Sequence, residues 1–370
     1  MMLSVEKTNR NLSNSEQDTL EQTIIISDAG TPKESAGESS DAVSKLPVKS
    51  QERYKFIRSI GFGGMKGVLL VHDKDTGRDV AMAIMPDFRD RPRRDLNRFV
   101  REANITARLE HPNIVPVHDI GIDGSGSPYF TMKYLRGQTL AMILRQKHSG
   151  KETTYDLDRL LRVLIRVCNA VAFAHSKGIC HLDLKPANIH CGEFGEVQVL
   201  DWGLAAAEDD DFDSGLLQGT PGYMSPEFIR SAGKVRPGPG ADIYAIGAIL
   251  YAILTNDTPF AGLPQQEILR RTVEGRIKPP SSCVTHIDPG LEAICMKALA
   301  TEPEERYHSV MELRQEILNC MNGFPTQAEN PSEWRRVSLY IKRHWTNMVI
   351  VLLVLVIAML TFILLGHSGK

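Results

Sequence analysis

The sequence predicts an α+β fold in two lobes, a small β-rich lobe and then a larger helical one, with a single membrane-spanning helix near the C-terminal end. Three observations carry this prediction. Short β-prone runs come first, at Ile57–Ile60, Gly67–His72 and Val80–Met85, separated by turn residues such as Asp75-Thr76-Gly77. Runs with helical spacing follow, at Leu96–Leu109, Leu157–Ser176, Leu263–Glu274, Leu291–Ala300 and Ser309–Met321. Last comes Met348–Leu365, an 18-residue apolar run broken only by Thr361.

The last element is the plainest. At ~1.5 Å per residue the run matches the hydrocarbon thickness of a bilayer, and it is apolar all round, unlike a helix with one buried stripe. Arg335, Arg336, Lys342 and Arg343 precede it, with Trp334, Tyr340 and Trp345 as interfacial anchors, while only His367 and Lys370 offer positive charge after it. This asymmetry predicts a single-pass protein of the cell membrane, with the long N-terminal part in the cytoplasm. The boundaries expected are a Ser/Thr/Glu-rich disordered tail over 1–51, a globular domain over 52–320, a juxtamembrane linker over 321–346, the membrane helix over 347–366 and a short external tail over 367–370. The N-terminal tail has no secretory-signal pattern. It contains a three-residue apolar run, Ile24–Ile26, and hydroxyls such as Thr19 and Thr23 that could accept phosphate.

Composition narrows the function classes. With 43 basic and 45 acidic residues in 370, net charge −2, a nucleic-acid partner is not expected. The hydrophobic share of 42% is enough for a substantial core. The six cysteines, Cys168, Cys180, Cys191, Cys283, Cys295 and Cys320, form no CxxC pair, so reduced and mostly buried thiols are expected rather than disulfides or a zinc site.

The chemistry lies in an ordered set of motifs. Gly61-Phe62-Gly63-Gly64 sits between two predicted strands, where the lack of Cβ atoms lets backbone N–H groups approach phosphate oxygens. Well downstream come His181-Leu182-Asp183-Leu184-Lys185-Pro186-Ala187-Asn188 and Asp201-Trp202-Gly203. They offer a carboxylate to orient a hydroxyl, a lysine for a transferring phosphoryl group, and an Asn/Asp pair of hard oxygen ligands for Mg²⁺. Gly219-Thr220-Pro221-Gly222-Tyr223-Met224-Ser225-Pro226-Glu227 and Asp242-Ile243-Tyr244 complete the set.

Over roughly residues 54–320 this order resembles the eukaryotic-type protein kinases, in their bacterial serine/threonine form. The resemblance implies the bilobal protein-kinase fold, with a small β-rich N-lobe carrying one helix (αC) and a larger helical C-lobe. It also implies phosphoryl transfer from ATP with Mg²⁺ to Ser/Thr hydroxyls of proteins, the chain itself among the candidates, and it leaves a homodimer open. On its terms Asp183 is the catalytic base, Lys185 neutralises the γ-phosphate, Asn188 and Asp201 hold Mg²⁺, and Thr220 bridges base and lysine. Glu227 would pair with Arg306, and Asp242 would brace the catalytic loop. Gly61, Gly63, Gly64, Val68, Ala81, Met132 (the gatekeeper), Lys133, Leu135 and His190 would line the ATP site.

Three departures stand out. The strand expected to read VAxK reads Val80-Ala81-Met82-Ala83, so its lysine is missing, although the partner glutamate on the helix, Glu102, is kept. Lys66 occupies the third-glycine position of the loop, and strand alternation puts it on the face of Val68, pointing into the nucleotide cleft. This is similar to the with-no-lysine kinases, and it implies that Lys66 pairs with Glu102 and contacts phosphate. The competing expectation from Ala83 is a membrane-tethered pseudokinase scaffold that does no chemistry. An ordinary kinase with an introduced alanine is a third. Leu182 stands where many kinases have arginine, so the segment after Asp201-Trp202-Gly203 is expected to be ordered without a docked phosphate. Its acidic run Glu208–Asp213 could contact Arg89, Arg91, Arg93, Arg94, Arg98 or Arg101, or simply face solvent. His190 replaces the usual apolar residue beneath adenine.

Overall fold

The computed structural model describes residues 24–27, 46–47, 53–62, 66–207 and 216–367. The elements in chain order begin with β1 (Ile24–Ser27), β2 (Tyr54–Phe62), β3 (Gly67–Asp73), β4 (Arg78–Ile84), α1 (Arg93–Arg108), β5 (Val117–Ile122) and β6 (Pro128–Lys133). The last five strands form one antiparallel sheet in the order β2-β3-β4-β6-β5.

Alternation along β4 explains how this small lobe holds together. Val80 and Met82 join Val71 and Tyr129 in one buried cluster. Ala83 lies in another with Met85, Phe99, Ala103 and Phe130, which fastens α1 to the sheet. The central strand is therefore buried on both sides, and α1 packs its apolar side, Phe99, Val100, Ala103 and Ile105, inward.

Next come β7 (Gly137–Thr139), α2 (Leu140–His148), α3 (Leu157–His175), β8 (Ile179–Cys180), β9 (Ile189–Gly192), β10 (Val197–Val199), β11 (Ala206–Ala207), β12 (Leu216–Gly219), α4 (Pro226–Arg230), α5 (Pro239–Thr255), α6 (Gln265–Val273), α7 (Pro289–Ala298) and α8 (Val310–Met321). Asp156 caps α3 by accepting from the Arg159 N–H at 2.8 Å. From there Leu160, Leu164, Val167, Cys168 and Val171 run down its buried side. α5 has no polar face because it is the centre of the lobe: every residue from Ala241 to Leu254 is buried. At Gly247 an added Cβ would meet the Ala298 Cβ at 2.8 Å, so a glycine there sets the close approach of α5 and α7. Cys168, Cys180, Cys191 and Cys295 are buried free thiols, Cys320 is half-buried and Cys283 is exposed.

The sequence boundaries meet the structure at three points. Ile24–Ser27, expected within a disordered tail, forms β1, antiparallel to β12. β-branched residues favour extended backbone, and β12 supplies the hydrogen-bonding partner that an isolated run lacks. Residues 321–346, expected as a linker, are helical from Glu333, because α9 (Glu333–His367) is continuous with the apolar run. Its first turns lie on the helical lobe: Arg335 pairs with Glu329 at 2.7 Å and Asp288 at 3.4 Å, Leu339 is buried, and the Arg343 guanidinium sits 4.1 Å over the Phe324 ring. The remainder is long and apolar enough to cross a membrane, with mean hydropathy 1.9 and none of that span buried. Finally, the acidic run Glu208–Asp213 lies outside the described residues, as do Thr19, Thr23, Gly63 and Gly64.

Candidate active site

The cleft side chains come from four places: the residue leading into β3, the middle of α1, the loop after β8, and the segments on either side of β11 and β12. Phe62 pairs with Gly67 across the β2–β3 hairpin, so Lys66 enters from the hairpin tip rather than from β4. Its Nζ donates to Glu102 Oε1 and, at 2.9 Å, to Asp201 Oδ1. Burial disfavours the ammonium, but the Asp201 and Glu102 carboxylates reverse this and raise the Lys66 pKa above the ordinary lysine range. The same cation answers a burial that would raise the Asp201 pKa, holding that carboxyl down at about 2. Glu102 is deeper, and its burial, only partly opposed by Lys66, leaves its pKa above the usual carboxylate range. Ala83 is 0% exposed within its apolar cluster, so the strand position expected to carry a lysine contributes packing instead.

A second cluster surrounds Asp183. The Thr220 hydroxyl donates to Asp183 Oδ1 at 2.7 Å and accepts from Lys185 Nζ at 2.8 Å, while Lys185 Nζ lies 3.1 Å from Asp183 Oδ2. Asn188 Nδ2 donates to the Asp183 carbonyl at 2.9 Å, which leaves its Oδ1 as the acceptor end. Leu182 has φ 65°, the left-handed region, where a branched side chain is strained. The fully buried Asp242 holds it there by accepting from the N–H groups of His181 at 2.8 Å and Leu182 at 2.9 Å. Burial would raise the Asp242 pKa, but His175, whose Nε2 donates to it at 2.8 Å, reverses this and keeps the carboxylate ionised. Below the cleft, Arg306 forks onto Glu227 at 3.0 and 2.7 Å and also donates to the carbonyls of Ala300 and Gly240.

The expected nucleotide-site residues are spread around the upper cleft. Gly61 is exposed near the end of β2, and Val68 pairs with Gly61 and Ala83. Ala81 pairs with Met132 on β6, and Lys133 and Leu135 follow on the segment joining the lobes. His190 lies on β9 opposite Gln198, and its Nε2 is buried without a hydrogen-bond partner. Burial lowers its pKa, so the ring is neutral at pH 7.

Sequence reasoning missed two contacts that close this site. Arg98 Nε donates to the Gly203 carbonyl at 2.9 Å, and Arg101 Nη2 donates to the Ala205 carbonyl at 3.0 Å. The sequence offers both arginines as partners of the acidic run, and these contacts are to backbone. The available signal was position: Arg98 is one helical turn before Glu102 and shares its face. Gly203 matters through size, since a Cβ there would lie 3.1 Å from Glu102 Oε2 and 3.3 Å from Asp201 Oδ1.

A five-stranded lobe with one fastened helix, over a helical lobe whose loops gather an Asp/Lys/Asn/Thr cluster, is the architecture of a protein kinase domain. Residues 54–318 match the protein kinase domain family, and the chain belongs to it. It is 37% identical over 313 residues to a Chlamydia trachomatis protein named serine/threonine-protein kinase PknD, covering 74% of this chain and 32% of that one. The proteins of the same name from Chlamydia caviae and Protochlamydia amoebophila are 37% and 35% identical, over 74% and 75% of this chain and 32% and 31% of theirs. The chain thus spans about a third of the length of these relatives.

Proposed function

We propose that the chain is a membrane-anchored serine/threonine protein kinase that transfers the γ-phosphoryl group of ATP to protein hydroxyls, with Lys66 serving in place of the missing strand lysine. The single observation that carries this is the placement of Lys66 Nζ between Glu102 and Asp201. An ammonium held there is aimed at the phosphate end of a nucleotide bound under the β2–β3 hairpin. It also removes the cost of a buried glutamate without a cation.

The other residues have roles that follow from their contacts. Asp183, hydrogen-bonded to Thr220, is positioned to orient an acceptor hydroxyl and take its proton. Lys185, 3.1 Å from the same carboxylate, brings positive charge to the transferring group. Asp201, held at about 2 and therefore ionised, and the Oδ1 of Asn188 fit Mg²⁺, a hard cation that takes oxygen ligands. When bound, the metal would neutralise phosphate charge. His190, neutral and with Nε2 free, suits the floor of an adenine site. α9 would hold the catalytic lobes on the cytoplasmic side, next to Arg336 and Lys342, and its exposed faces leave self-association open. The whole-chain substrates are proteins with Ser or Thr acceptors.

The second reading, a pseudokinase scaffold, draws on Ala83. Labelled ATP with Mg²⁺ separates them when supplied to the full chain in detergent micelles, comparing the parent with Lys66→Ala, Ala83→Lys and Asp183→Asn. The proposal expects transfer in the parent, a loss of about 100-fold or more in Lys66→Ala, and near-abolition in Asp183→Asn. A silent parent supports the scaffold, and a Lys66→Ala variant as active as the parent refutes the lysine assignment. An inactive parent rescued by Ala83→Lys alone would mark an ordinary kinase with an altered strand.

A further inference from the structure

Three side chains of metal-ligating type meet beneath the loop that carries Asp183. They are His175 at the last residue of α3, Cys180 on β8 and Asp242 in the first turn of α5. Their ligand atoms, an imidazole nitrogen, a thiol sulfur and a carboxylate oxygen, all lie within 4.8 Å of one another. Local structure explains the meeting. α3 ends at His175, Gly178 turns the chain with φ 70°, and β8 brings Cys180 back to the helix end. β8 is held there by its antiparallel pairing with β11, Cys180 opposite Ala206. Asp242 arrives from a helix buried on every side. Spacing along the sequence held no zinc expectation, because the third ligand lies far downstream of the other two.

We propose that His175, Cys180 and Asp242 form a zinc site that clamps the base of the catalytic loop. A thiol, an imidazole and a carboxylate are donors of tetrahedral zinc, whose ligand atoms lie roughly 3 to 4 Å from one another, so the three need move little to share an ion. Charge balances as well. The Asp242 carboxylate and a Cys180 thiolate together match a divalent cation, so no net charge is left at a buried place. Ligation leaves the imidazole neutral with its proton on Nδ1, and the thiol proton goes to solvent as the Zn–S bond forms.

The surroundings also suit an ion. Asp242 Oδ2 accepts from the His181 N–H at 2.8 Å and Oδ1 from the Leu182 N–H at 2.9 Å, so the carboxylate is oriented by hydrogen bonds of the kind that surround metal ligands. Those N–H groups belong to the loop that carries Asp183, and they hold Leu182 in its left-handed conformation. An ion shared by the three side chains would tie the end of α3 and β8 to that carboxylate and tighten the loop without entering the cleft. Access is from the His175 side, where the side chain is 12% exposed against 8% for Cys180 and 0% for Asp242. That opening leaves the fourth coordination position to water. The His175–Asp242 hydrogen bond at 2.8 Å is the arrangement without an ion, and Cys180 supplies the soft donor that selects zinc over Mg²⁺.

The experiment uses the full chain in detergent micelles, reduced, stripped of metal by a chelator that is then removed, and kept in Mg²⁺-free buffer. Co²⁺ is the probe, because its absorption reports tetrahedral geometry and thiolate ligation, and Zn²⁺ then competes for the same ligands. The proposal expects one Co²⁺ per chain with a thiolate charge-transfer band, bleached by an equivalent of Zn²⁺, and a Tm raised by Zn²⁺. Cys180→Ala should abolish both the band and the rise in Tm. His175→Gln, which keeps a donor for Asp242, should weaken binding about tenfold or more. Hydrogen exchange at the His181 and Leu182 amides should slow on adding Zn²⁺ to the parent and not to Cys180→Ala. A band that persists in Cys180→Ala, or that is lost instead in Cys283→Ser, puts the ion at another thiol and overturns the site. A folded parent with no thiolate band overturns it too, whatever its phosphoryl-transfer activity. A band with unchanged amide exchange overturns the clamp.

Discussion

Two side chains and one glycine shape the candidate cleft, and each is intelligible from its neighbours. Lys66 lies beside two carboxylates, one deep and one facing the cleft, and keeps Asp201 ionised while Glu102 fixes the position of the ammonium. Gly203 leaves room for that arrangement, because a methyl group would press on Glu102 Oε2 at 3.1 Å. Gly203→Ala should therefore displace the Lys66–Glu102 pair by some tenths of an ångström. Phosphoryl transfer is expected to fall by ~10-fold or more with little change in Tm, as steady-state kinetics and thermal denaturation would show. An unchanged kcat would mean that the pair tolerates the shift. Asp183 depends on Thr220, which donates to its Oδ1, and on Lys185, which donates to Thr220 and lies 3.1 Å from Asp183 Oδ2.

At the scale of elements, α1 is the part that ties the sheet to the segment after Asp201. It is fastened to the sheet by Phe99 and Ala103 and to the segment after Asp201 by two arginine-to-carbonyl bonds. Burial lowers the Arg98 pKa, and the surrounding Asp201, Glu102 and Asp183 carboxylates oppose that shift. Arg98→Ala should let α1 drift from the Gly203 carbonyl and lower kcat by ~10-fold, with Arg98→Lys recovering part of the loss. A variant with parental kcat would show that the sheet contacts alone hold α1. Much of this level was legible beforehand: the expected runs at Gly67–His72, Leu157–Ser176 and Ser309–Met321 lie within a residue or two of β3, α3 and α8. α5 was not anticipated, because a helix buried on every side has no periodic stripe to betray it.

For the molecule as a whole, the decisive feature is that α9 begins on the catalytic lobe and continues into the apolar span without a break. Arg335, Leu339 and Arg343 recur one turn apart on the side that docks, leaving Trp334, Tyr340 and Trp345 exposed. The orientation of the cleft relative to a membrane would then be set by a rigid helix rather than a loose tether. Removal of residues 347–370 is expected to shift the chain from the membrane pellet to the supernatant on ultracentrifugation and to leave phosphoryl transfer to casein within about two-fold of the full chain. Persistence in the pellet after carbonate washing would rule out α9 as the anchor.

The linear order of motifs was enough to fix the fold class and to mark the candidate catalytic loop and the candidate span, because each depends on local residue types at set spacings. His181–Asn188, Asp201–Gly203 and Met348–Leu365 are contiguous and need no knowledge of neighbours. Alternation along β3 even suggested which way Lys66 would point. Tertiary structure alone decided that Lys66 also reaches Asp201, which carbonyls Arg98 and Arg101 reach, and that Ile24–Ser27 lies beside β12. Those partners are 104 to 195 residues apart in the chain, and no local pattern encodes a hydrogen bond made across such a loop. Such contacts become favourable only after the two lobes have brought the backbones together.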